Sequence, residues 1–170
     1  MVLMTADLND AQGLTGPVPK DRYVTRIEEG PNGLVVRPRK GDALMMECSL
    51  VIEAGEHKDH RIFPPYRVMI SGLKEDGTKH NLDRSMQLVN ATGIEWTCQL
   101  CGYVGGKGNK QLFLDKKSGK YFCPECNKRA QVSYETDDVI GKRVVAVVDI
   151  QKALDSEDML NNVKSVSALM

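Results

Sequence analysis

Cys98, Cys101, Cys123 and Cys126 stand in two tight pairs, Cys98-Gln99-Leu100-Cys101 and Cys123-Pro124-Glu125-Cys126, about twenty residues apart. Two residues between ligands let the backbone turn back, so that both sulfurs and several amide N–H groups converge on one point and grip one side of a tetrahedral ion. Gly102 follows the first pair and accepts the positive φ that such a knuckle often needs, while Pro124 stiffens the second. Four thiolates fill a tetrahedral shell and leave no open position for water or substrate. The spacing therefore predicts a structural Zn2+ rather than a catalytic metal.

Other thiol chemistries compete with that reading. Cys101-Gly102-Tyr103 together with Cys123-Pro124-Glu125-Cys126 resembles the two knuckles of rubredoxin, which keeps iron, and with it electron transfer, open. A thioredoxin-type redox site needs one such pair beside a βαβ pattern, not two facing pairs. Disulfides need an oxidising compartment, and the start Met1-Val2-Leu3-Met4-Thr5-Ala6-Asp7 has neither a basic opening nor an apolar run. A reducing cytoplasm is the expected location. Cys48, in an apolar stretch, reads as a small buried hydrophobe.

The elements that must carry these residues come from a chain of 170 residues, 41% hydrophobic, with 23 basic and 23 acidic side chains. That is enough for one core plus a small accessory module, and no apolar run approaches a membrane span. Residues 1–19, polar and broken by Gly13, Gly16, Pro17 and Pro19, read as a flexible arm. Alternation predicts a strand over Arg22–Glu28, a turn at Gly30-Pro31-Asn32-Gly33, and strand again through Leu34-Val35-Val36. A second strand is predicted over Ala43–Glu53, with Met46, Cys48, Leu50 and Ile52 inward, and a third over Arg61–Ser71, interrupted at Pro64-Pro65. Asp83 is the candidate N-cap of a short helix ended by Gly93. The metal module occupies 95–132. Gly141 opens a fourth strand over Lys142–Ile150, and a fifth lies in Val163–Leu169.

Three strands, a helix and two strands, with a ribbon spliced between helix and fourth strand, is the order of an OB barrel. The expected fold is mostly β: an OB-like five-stranded barrel (20–94 and 133–170) with one short helix and an inserted zinc ribbon (95–132). A β-sandwich of the same strand count is the alternative.

Four stretches also carry a resemblance: Lys20-Asp21-Arg22-Tyr23-Val24-Thr25-Arg26-Ile27; Glu53-Ala54-Gly55 with Lys58-Asp59-His60-Arg61-Ile62-Phe63; Ile140-Gly141-Lys142-Arg143-Val144; and Asn161-Asn162-Val163-Lys164. Together they resemble a family of small bacteriophage OB-fold proteins regarded as single-stranded DNA-binding proteins of phage replication or recombination. A zinc ribbon at this point departs from the plain family pattern. The resemblance implies sequence-tolerant, non-catalytic binding of single-stranded DNA in the cytoplasm of a host cell. A replication or recombination protein and a second copy of the chain are further candidate partners.

Single strands are held by a cationic groove and by aromatic faces on which bases stack. For this role the candidates are Arg22, Arg26, Arg37, Arg39 and Lys40 around the first strands, and Lys58, Arg61, Phe63, Tyr66 and Arg67 around the third. Trp96 at the module's start and Lys116, Lys117 and Lys120 within it complete the set. Between Glu95 and Val132 seven basic residues face three acids, a local charge of +4, partly offset by a formal −2 at a four-thiolate zinc. Those lysines serve solubility or phosphate binding. His57 and His60 flank a turn and read as surface residues. No GxSxG, phosphate loop, HExxH or paired-carboxylate frame is present, so no enzyme is expected. The rival functions are a ribbon adaptor that docks a replication or transcription protein without touching DNA and, less favoured, a rubredoxin-like iron carrier.

Overall fold

The computed structural model describes residues 17–36, 44–71, 82–152 and 159–169. Among them the chain runs β1 (Asp21–Glu29), β2 (Val35–Val36), β3 (Leu44–Ile52), β4 (Tyr66–Ser71), α1 (Asp83–Thr92), β5 (Trp96–Cys98), β6 (Val104–Gly105), β7 (Phe113–Asp115), β8 (Lys120–Phe122), β9 (Val132–Ser133), a 3-10 turn (Thr136–Val139), β10 (Arg143–Lys152) and β11 (Met159–Ser167). The protein is mostly β, with antiparallel sheets and one α-helix among the described residues.

The main sheet has the order β11-β10-β1-β3-β2, with β4 on the other edge of β3. β2 continues the line of β1: Glu29 lies opposite Cys48 and Val35 opposite Met46, so the intervening residues loop out over the single residue Glu47. Gly30 N–H donates to the Glu47 carbonyl, and Glu47 N–H donates to that of Leu34. The interrupted first strand expected from Gly30-Pro31-Asn32-Gly33 is this excursion.

Alternation sets the faces. Tyr23, Thr25 and Ile27 of β1 point inward with Met46, Cys48, Leu50 and Ile52 of β3 and Tyr66 and Val68 of β4, while Arg26, Glu28, Glu47 and Arg67 share the opposite face. α1 closes the core from below with Met86, Leu88 and Val89 and packs chiefly on β11, then on β4, β10 and β8. Its N-cap is Leu82 rather than Asp83. No side chain caps the backbone there, and the Ser85 hydroxyl donates to the Leu82 carbonyl instead. Gly93, at φ +69°, ends the helix as its left-handed cap.

No strand pairing joins β4 to β11 among the described residues, so the sheet is open there. One backbone bond crosses the gap, from Asn161 N–H to the Phe63 carbonyl at 3.1 Å. Residues 1–16 of the expected arm lie outside the described residues. At its end Val18 is buried, against expectation, because the Asn161 side chain holds its backbone.

Candidate metal centre and nucleic-acid face

Each cysteine pair sits at the tip of a backbone turn closed in the same way. Gly102 N–H donates to the Cys98 carbonyl and Cys98 N–H to that of Tyr103; Asn127 N–H donates to the Cys123 carbonyl and Cys123 N–H to that of Lys128. Gly102 takes φ +78° as expected. Its counterpart in the second knuckle is Asn127, at φ +58°. That position was legible, because Asn is among the few non-glycine residues that visit left-handed geometry and it follows Cys126 as Gly102 follows Cys101.

The two knuckles face each other. Cys98 Sγ lies 3.9 Å from Cys126 Sγ, Cys101 Sγ lies 3.7 Å from Cys123 Sγ, and all four sulfurs fall within 4.8 Å of one another. A metal bound at about 2.3 Å places tetrahedral sulfur ligands about 3.8 Å apart, so the quartet has the dimensions to hold one ion. Cys98 and Cys123 are buried and Cys101 is exposed, so the site lies at the surface of the module with its inner half packed. Cys48 is remote in role: it is fully buried in the sheet core, and burial pushes its thiol up to about 12, with Glu47 adding to the effect.

The module is fastened at its base. β5 pairs with both β6 and β9, so the strands leading in and out lie side by side. Trp96 is fully buried, and its ring covers Gly105, where any Cβ would overlap it; Tyr103 packs edge-on at 5.8 Å. Asn90 of α1 donates to the Leu112 carbonyl at 2.9 Å and accepts from the Leu112 N–H at 3.2 Å.

The expected nucleic-acid residues separate into three groups. Tyr66 and Trp96 lie inside the core, 4% and 0% exposed, and offer no ring face to a base; Arg84 covers the Tyr66 ring from 5.2 Å. This corrects their assignment as stackers: Tyr66 lies beneath Arg84 of α1, and Trp96 fills the base of the metal module against Gly105 and Tyr103.

Arg26, Arg61 and Arg67 do reach the outer face of β1, β3 and β4, but carboxylates engage them all. Arg26 pairs with Glu28 and Glu53, Arg61 with Glu28 at 2.8 Å, and Arg67 Nε with the buried Glu47 at 3.0 Å. The hydrogen bonds from Arg26 and Arg61 hold the Glu28 carboxyl below its ordinary range. Beside them a groove of about 700 Å³ is lined by Glu28, Glu29, Pro31, Ser49, Arg61, Ile62, Phe63 and Pro65, and Phe63 is half exposed at its rim.

The third group stands free. Arg22, Lys58, Lys116, Lys117 and Lys120 are exposed, and none forms an ion pair among the described residues. Arg37, Arg39 and Lys40 lie outside the described residues. His57 and His60 meet edge to face at 5.3 Å, with His60 Nδ1 2.9 Å from the His57 carbonyl, which is turn structure. Phe113, one of the ribbon's aromatic residues that the sequence ranks behind Tyr66 and Trp96 for stacking, is 62% exposed on β7. The signal of that exposure was its place in a short polar hairpin between Leu112 and a lysine pair.

No helix among the described residues is long and apolar enough to cross a membrane. The chain matches no family model, no curated protein and no solved structure.

Proposed function

We propose that this protein is a sequence-tolerant, non-catalytic single-stranded DNA-binding protein built on an OB-like barrel, with zinc held by Cys98, Cys101, Cys123 and Cys126. The observation that carries the reading is the strand order: β11-β10-β1-β3-β4, with α1 between β4 and β10 in sequence and packed against both β4 and β11. An OB fold is a partly open five-stranded Greek-key barrel, and the Asn161–Phe63 backbone bond spans the place where such a barrel leaves its seam. The four motif stretches that resemble phage single-strand binders add a cytoplasmic role in phage DNA replication or recombination.

Zinc is favoured over iron because a closed four-thiolate shell suits a structural ion, although the paired knuckles also suit rubredoxin-type iron. Metal analysis separates the two: one zinc per chain in a colourless preparation supports the reading, and a red, iron-containing one overturns it.

Fluorescence anisotropy with labelled single- and double-stranded oligonucleotides tests the binding. Affinity for single strands should fall with salt by a log–log slope of about −0.7 per phosphate contact. An absence of binding at low salt, or binding indifferent to ionic strength, overturns it.

Exposed Leu100 (46%) and Val104 (41%) beside the first knuckle favour a second reading, an adaptor whose ribbon docks a replication or transcription protein. Under it, changes in the ribbon weaken a pull-down and leave DNA affinity untouched.

A further inference from the structure

We infer that the polynucleotide contact lies on the β7–β8 hairpin of the metal module rather than on the β1–β3–β4 face, with an unpaired base stacked on Phe113 and the flanking phosphates held by Lys116, Lys117 and Lys120. The inference rests on the single-strand reading given above and assigns it a surface.

The two surfaces differ in how their cations are used. On the sheet face Arg26, Arg61 and Arg67 are each bound by a glutamate, and Glu28 and Glu29 line the adjoining groove. A phosphate arriving there must displace a carboxylate from its guanidinium and meets two negative side chains. On the hairpin, Lys116, Lys117 and Lys120 are exposed with no ion pair among the described residues. Asp115, the acid of this hairpin, is engaged by its own turn: its carboxylate accepts from the Lys117 N–H at 3.2 Å and the Ser118 hydroxyl at 2.8 Å.

The geometry presents ring and charge together. Gly119, at φ +72°, lets its N–H reach the Asp115 carbonyl at 2.7 Å and makes the turn tight. Phe113 lies opposite Phe122, and Asp115 opposite Lys120. Because alternate residues share a face, Phe113, Asp115, Phe122 and Lys120 stand on one side of the hairpin, and Arg129, itself ion-paired with Asp83 at 3.2 Å, continues the row through its bridge to Phe122. An exposed ring flanked by unpaired cations is the combination that holds an unpaired strand, since stacking is indifferent to sequence and the charges track the backbone. The module's excess of seven basic residues over three acids is complementary to a polyanion.

The test uses the metal-loaded full chain and a labelled oligo-dT across salt, with metal content and thermal transition confirming that each variant is folded. Phe113→Ala and Phe113→Leu should each lose about tenfold in affinity with the salt slope unchanged, and Phe113→Trp should retain it. The triple change Lys116→Ala, Lys117→Ala, Lys120→Ala should weaken binding and flatten the slope by about 2. If the native chain binds and all of these variants bind as it does, the hairpin assignment is wrong and the single-strand reading survives. If the native chain fails to bind at low salt, both fall. If the variants keep DNA affinity and lose a protein partner instead, the hairpin is a protein-docking element and the assignment is overturned.

Discussion

The side chain of Asn161 exchanges two hydrogen bonds with the backbone of Val18: its Oδ1 accepts from the Val18 N–H at 2.9 Å, and its Nδ2 donates to the Val18 carbonyl at 2.8 Å. The amide thus acts as one residue of strand for a segment that has no strand of its own. The same residue donates its backbone N–H to the Phe63 carbonyl, and both Val18 and Asn161 are buried. One side chain therefore holds Val18 at the place where β11 approaches the segment leading into β4.

Asn161→Ala removes the two side-chain bonds and leaves the Val18 N–H and carbonyl without those partners. It should cost about 1–3 kcal/mol, read as a lower urea midpoint at unchanged slope. Asn161→Asp keeps the acceptor and loses the donor, and should not restore stability. A midpoint equal to that of the native chain would show that water replaces the amide without loss.

Glu47 is buried beneath the looped-out turn, where its Oε1 accepts from Asn32 and its Oε2 from Arg67. Removing one partner of a buried pair strands the other, but the Arg67 side chain is 46% exposed and screened. Arg67→Met should therefore cost about 1–3 kcal/mol rather than the full penalty of a buried pair. Gly30→Ala places a Cβ 2.6 Å from Glu47 Cγ and 2.9 Å from its carbonyl oxygen. It should destabilise by a similar amount through overpacking. Thermal denaturation of both variants checks the pair.

Trp96 is the chain's single tryptophan and lies against the metal module's second strand. Stripping the ion with a strong chelator, or replacing Cys98 by Ser, should loosen the knuckles and shift Trp96 emission to longer wavelength as water reaches the ring. The far-UV signature of the main sheet should change little. Unchanged emission after verified metal loss would show that packing alone holds the module.

Because Arg26 and Arg61 lower the Glu28 carboxyl, the sign of its pH dependence is set. The contribution is fully present above the unfolded value of 4.5 and is lost as pH falls through the lower folded value. Glu28→Gln should cost about 1 kcal/mol or less near neutrality. The gap to the native chain should close on acidification. A gap that widens towards acid would reverse the assignment.

The Cys48 thiol, pushed up to about 12 by burial, should resist alkylation at pH 8 in the folded chain and react once urea opens the sheet. Labelling of Cys48 under native conditions, located by peptide mapping, would contradict its burial.

What the sequence disclosed followed from short-range rules. Ligand spacing located the metal quartet, and a period of two located the inward row Met46, Cys48, Leu50 and Ile52. The opposite row of β3 is also buried at Glu47, Ser49 and Val51, which no alternation rule could announce, because the cover comes from the Asn32 turn and the segment around Arg61. The fate of the arginines was equally hidden. Glu28, Glu47 and Glu53 are distant from Arg61, Arg67 and Arg26 in the chain, and only strand register sets them together. Tyr66 and Trp96 looked available beside prolines and at a junction, yet Tyr66 is drawn under Arg84 of α1 and Trp96 into the base of the metal module.

The clasp between Asn90 and Leu112, together with a hydrophobic core that runs without a break from the sheet into Leu112, Tyr121 and Cys123, makes the appendage a stiff lever and not a tethered flap. A pull on the hairpin tip is delivered to α1, and through it to β11, instead of being absorbed by a hinge.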